Sequence, residues 1–119
     1  MRVEWTPPYR VSSLIAMQQI QELAQRIGQE FCPDRVLLFG SHAYGEPGAD
    51  SDVDMLVIMR HEGKNWRMAT EIRGRVRPRF PLDLIVRTPD QIRERLELGD
   101  CFVKEITEKG KALYESPDR

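Results

Sequence analysis

Two short apolar runs constrain this chain most: Val36-Leu37-Leu38-Phe39, preceded by Arg35, and the branched stretch from Val53 to Met59. Pro33 and Gly40 bracket the first. Each run is too short for a buried helix and rich in residues that suit an extended backbone, so both read as buried strands. Segments of helical period surround them. An α/β (α+β) domain is therefore expected, its helices packed against a sheet.

The remaining elements follow from periodicity and punctuation. Ile20, Leu23, Ala24, Ile27 and Phe31 recur at three and four, which predicts an amphipathic helix over 13–31, capped by Ser12 or Ser13 and ended by Pro33. Between the two strands, the stretch from Gly40 to Gly45 predicts a short helix begun at Ser41, with a Pro47-Gly48 loop after it. Asn65 to Arg77 reads as a helix with Trp66, Ala69, Ile72 and Val76 on its inner face, closed by Pro78, and Leu82 to Val86 as a third strand. Thr88-Pro89-Asp90-Gln91 has the form of a capping box and opens a helix to about Leu98.

After the Gly99-Asp100 break comes a helix over 101–109 with Phe102, Val103 and Ile106 inward, then Gly110 and a strand from Lys111 to Glu115. The order is αβαβαβααβ, with at least four strands in the sheet. Periodicity does not give their order or direction.

The chain's 119 residues suit one domain over 1–119, with residues 1–11, which include Trp5 and Pro7-Pro8, as an N-terminal arm. A net charge of -1 argues against a protein that grips nucleic acid backbone, which requires many Lys and Arg contacts. Cys32 and Cys101 lack metal-ligand spacing and read as reduced thiols of a cytoplasmic protein. No stretch has the length and apolarity of a membrane span or signal peptide.

The chemistry concentrates in a few polar residues. Asp52 and Asp54 are two apart at the start of the second strand, so alternation aims both carboxylates to one face. At about 4 Å their repulsion is roughly 4 kcal/mol for an effective dielectric near 20, and a divalent cation reverses its sign. Oxygen-only ligands select Mg2+ or Mn2+. Asp83 is the acidic residue inside the apolar run from Leu82 to Val86, where an unpaired charge is costly, so it is the third candidate ligand. A cluster of the three suits two ions acting at phosphorus. Gly40 gives room for a phosphate to approach, and Ser41 opens a helix whose amides would receive it.

The string Gly40-Ser41, ten residues, Asp52-Val53-Asp54, then Asp83 within an apolar strand resembles the DNA polymerase beta-type nucleotidyltransferase superfamily. More narrowly, residues 13–115 resemble the minimal nucleotidyltransferases. The resemblance implies the nucleotidyltransferase fold, triphosphate contacts at Gly40 and Ser41, and metal ligation by Asp52, Asp54 and Asp83, the last also receiving the acceptor's proton. It implies two Mg2+ ions, ATP as substrate, and transfer of AMP to a tyrosine of an all-helical HEPN-type toxin that the protein silences as an antitoxin. Many relatives have Arg at one or both of the positions held here by His42 and Tyr44, a departure that implies phosphate neutralisation that is weaker at that helix or supplied from elsewhere.

The chain's end soon after its last strand leaves the acceptor to be supplied by another molecule. Two competing readings are a non-catalytic module that masks its partner and a transferase acting on a small hydroxylated molecule. A homo-oligomer is compatible with all three. Arg73, Arg75, Arg77 and Arg79, with Lys64 and Arg67, read first as a solvated helix face and second as a contact for triphosphate or an acidic partner. His42 is a candidate aid to phosphate binding, and His61 reads as a turn residue.

Overall fold

The two apolar runs form β1 (Arg35–Phe39) and β2 (Val53–Ile58), antiparallel neighbours at the centre of a four-stranded mixed sheet. β3 (Leu82–Arg87) lies outside β2 and parallel to it, while β4 (Lys111–Glu115) lies antiparallel on the far side of β1. The order is β3-β2-β1-β4. This structure, a computed structural model, describes residues 16–45, 47 and 51–117. The expected N-terminal arm, the cap at Ser12 or Ser13, and the loop residues Glu46, Gly48 and Asp50 lie outside the described residues.

Five helices accompany the sheet among the described residues: α1 (Met17–Phe31), α2 (Ser41–Tyr44), α3 (Asn65–Val76), α4 (Pro89–Glu97) and α5 (Cys101–Lys109). Side-chain alternation divides each central strand between two cores. Val36, Leu38, Met55 and Val57 join Ile20, Leu23 and Ile27 of α1 and Ile72 and Val76 of α3. Leu37, Phe39, Leu56 and Ile58 join Ile92 of α4 and Val103 and Ile106 of α5. Coverage on both faces explains why these strands are apolar throughout. A fully buried Leu or Ile such as Leu37 or Ile20 contributes roughly 2 kcal/mol. No described helix is long and apolar enough to cross a membrane.

The expected capping box is formed: Gln91 N–H donates to Thr88 Oγ1 at 3.1 Å, and Thr88 N–H donates to Gln91 Oε1 at 3.0 Å. It turns the chain from the end of β3 into α4 with the first amides satisfied. Asp100 caps α5 with a single bond, accepting from Val103 N–H at 3.1 Å. That bond and the neighbouring Arg95 guanidinium hold its carboxyl below the usual range.

Two expected core aromatics are corrected. Trp66 is 63% exposed. The inward face of α3 is set instead by Met68, Ala69, Ile72 and Val76, and at about 100° per residue Trp66 falls roughly a quarter-turn off that line. Its ring is covered by the Arg67 guanidinium, 5.5 Å from the centroid. Phe102 is 56% exposed, because at the start of α5 it overhangs the sheet and meets Phe39 only edge-on, at 5.7 Å and 85°. Val103 and Ile106 point inward as expected.

The basic stretch is partly structural. An Arg73 N–H donates to the Leu82 carbonyl, and Arg75 pairs with Glu30 of α1 at 2.8 Å beneath the Phe31 ring. Replacing Thr88 with Ala should cost about 1 kcal/mol by removing the cap of α4, measured as a lower urea midpoint with unchanged slope.

Candidate active site

Register places the candidate carboxylates. Phe39 of β1 pairs with Asp54 of β2, and Asp54 pairs with Asp83 of β3. Neighbouring strands are about 4.8 Å apart, and residues directly opposite share a face, so Asp54 and Asp83 are adjacent across the parallel pair. Asp52, two residues upstream, falls on that face by alternation. This is the α4–α5 face, at the end of the strands that the two helices leave open.

The burial expected for Asp83 is corrected: it is exposed, as is Asp52, while Asp54 is half-buried. β3 is an edge strand. Its Leu82, Leu84 and Val86 enter the core beneath α3, and Asp83 faces the open side. The cost of a charge in a dry interior therefore does not apply to Asp83, and the local constraint is repulsion among the carboxylates. Asp54 records it, its carboxyl being raised above the ordinary 3.8 first by burial and then by the charges of Asp83 and Asp52, with His42 acting in the opposite direction. Among the described residues, no group of three Asp, Glu, His or Cys side chains is arranged as a ready metal cage. The donor set is nonetheless all oxygen, and a divalent cation is the species that would relieve the mutual repulsion.

Gly40 lies where β1 turns into α2, with φ 77° and ψ -161°, a conformation essentially reserved for glycine. A Cβ built there would collide with the Asp54 carboxylate. Absence of a side chain thus lets the loop close down on Asp54. Ser41 is half-buried at the start of α2, which comprises only four residues. So short a helix carries little macrodipole, and any anion there is met chiefly by the Ser41 and His42 amides, which precede the first intrahelical bond from Ala43 N–H to the Gly40 carbonyl at 3.0 Å. Tyr44 is exposed.

His42 does not point outward as an anion ligand would. Its side chain is only 8% exposed, and Nδ1 lies 3.1 Å from the Asp52 carbonyl oxygen. Sequence reasoning missed this contact, for which no periodic signal exists. It also missed a cleft of about 330 Å³ on the same face of the sheet, lined by Leu56, Ile85, Phe102, Arg87 and the Arg95–Asp100 ion pair, though by none of the three aspartates. Its signal was present in the alternation, because Leu56 and Ile85 follow Asp54 and Asp83 by two. Clefts of about 450 and 500 Å³ lie elsewhere.

The chain belongs to the nucleotidyltransferase domain family, whose family model matches residues 17–114. Among solved structures, a candidate nucleotidyltransferase from Sulfolobus solfataricus is similar at 22% identity and a TM-score of 0.55, covering 71% of this chain and 78% of that one. The likeness is one of fold. A mutant of the toxin-antitoxin pair MntA-HpeT overlaps at 15% identity and a TM-score of 0.49, covering 87% of this chain and 76% of that one. No curated protein matches the chain.

Two outcomes are expected at this site. Gly40→Ala should displace the Asp54 carboxylate and cut nucleotidyl transfer by about a hundredfold, the scale of a small misplacement of a reacting group; initial rates check this. Asp54 binds its proton more tightly in the folded than in the unfolded chain, so the stability this contributes is lost as pH rises from 3.8 through the folded value. Asp54→Asn stays neutral throughout. In metal-free buffer its thermal midpoint should exceed the parent's at pH 7, with the difference shrinking toward about pH 4 and on addition of Mg2+.

Proposed function

We propose that this nucleotidyltransferase transfers AMP from ATP, with Mg2+ or Mn2+, to a hydroxyl acceptor, and that the acceptor is a tyrosine of a HEPN-type toxin for which the protein is the antitoxin. The observation that carries the catalytic reading is the pairing of Asp54 with Asp83 beside Gly40, whose bare Cα abuts the Asp54 carboxylate.

Asp52 and Asp54 would hold both metal ions and Asp83 the catalytic one, while Gly40 and Ser41 face the triphosphate. When bound, the divalent ions neutralise charge on the phosphates and favour attack at phosphorus. The acceptor oxygen bonds to the α-phosphorus, the bond from that phosphorus to the pyrophosphate oxygen breaks, and pyrophosphate leaves. Asp83 takes the hydroxyl proton. Exposure of Asp83 supports that role, since a protein acceptor must reach it from solvent. The cleft on the same face, lined by Leu56, Ile85 and Phe102 with Arg87, gives such an acceptor apolar ground to rest on.

The test incubates the purified protein with α-labelled ATP, Mg2+ and the product of the adjacent gene. Label is expected on a tyrosine of that product, and Asp54→Asn should lower the rate at least about a thousandfold because charge stabilisation at phosphorus is lost. An unlabelled partner that is inhibited only by equimolar protein, without nucleotide, would replace this reading with simple masking.

A further inference from the structure

We propose that His42 is a positioning residue that fixes the Asp52 ligand against the Gly40-Ser41 loop. The inference rests on the metal-dependent reading above and adds a residue whose role that reading left open.

His42 is the one buried polar side chain among the described residues. A carbonyl oxygen only accepts, so the 3.1 Å contact assigns a proton to Nδ1, donated to the Asp52 carbonyl. The same peptide group is held from its opposite edge: Val53 N–H donates to the Pro81 carbonyl at 2.9 Å, the first rung of the pairing between β2 and β3. The peptide that links Asp52 to Val53 is thereby fixed at both edges, its carbonyl to α2 and its N–H to the start of the strand that bears Asp83. β2 starts at Val53, whose N–H makes the first ladder bond, and His42 supplies the hold on the Asp52 carbonyl.

Through these two bonds a solvent-exposed carboxylate gains a defined direction relative to Asp54 and Asp83. Because His42 directly follows Ser41, the same bond ties the loop that faces the triphosphate to the ligand ten positions further on. Burial strengthens the bond, since water does not compete for the carbonyl there. An imidazole at this position thus acts through the backbone of its neighbour and not on phosphate.

Three measurements test this. In the metal-free parent, ¹⁵N NMR of His42 should show the Nδ1-protonated tautomer; an unprotonated Nδ1 at neutral pH overturns the proposal. Calorimetric titration with Mn2+ alone, well below the thermal midpoint of each variant, should show His42→Leu weakened about tenfold, the value of one hydrogen bond. His42→Asn, which keeps a donor at the position of Nδ1, should return to within about threefold of the parent. A His42→Leu protein that binds Mn2+ as tightly as the parent overturns the proposal, as does equal weakening in His42→Asn. Should His42→Leu not fold, His42→Gln, with its donor displaced by one bond, takes its place and is expected to show the same weakening. If Mn2+ binding follows this pattern but no label reaches any acceptor, the transferase reading fails and the positioning role stands; if transfer proceeds with His42→Leu unaltered in Mn2+ affinity, the reverse holds.

Discussion

The site depends on a repulsion that the fold enforces. Parallel pairing of β2 with β3 sets Asp54 against Asp83, and strand alternation adds Asp52 to the same face, so like charges share the open end of the sheet. Side chains free to choose would separate. Here the backbone cannot let them, because the same strands bury Val53, Met55 and Val57, with Leu82, Leu84 and Val86, in the core beneath α1 and α3. A one-residue slip would send those apolar side chains to the other face. Hydrophobic register and carboxylate register are therefore one constraint, and the raised proton affinity of Asp54, due first to burial and then to its two acidic neighbours, reflects it.

The elements whose signals are local were legible in the sequence. Arg35–Phe39 is bounded by Pro33 and Gly40, and the Thr88-Gln91 reciprocal cap is specified by residues three apart. Strand order was not legible, because nothing in the period of β1 says that β2 and β4 flank it. Trp66 and Phe102 were misassigned for different reasons: Trp66 stands about a quarter-turn off the inner line of α3, whereas Phe102, at the start of α5, overhangs the sheet, whose extent no wheel records.

The candidate site divides in the same way. Gly40, Ser41, Asp52, Asp54 and Asp83 were marked by residue type and spacing, yet the apolar run around Asp83 reads like a strand covered on both faces, and β3 is an edge. His42 was invisible as a structural tie because its partner is a backbone carbonyl, which carries no sequence label. Arg73 and Arg75 likewise looked like a charged surface, although one holds the Leu82 carbonyl and the other bridges α3 to α1.

The close approach of Gly40 to Asp54 has an implication for how such a sequence can change over time. Any side chain introduced at position 40 meets a carboxylate on the neighbouring strand, so tolerance at one position is conditional on what stands at the other. Shortening the residue at 54 would open space but discard the charge. The pair is thus locked against stepwise drift, and homologous chains that vary there are expected to vary at both places together.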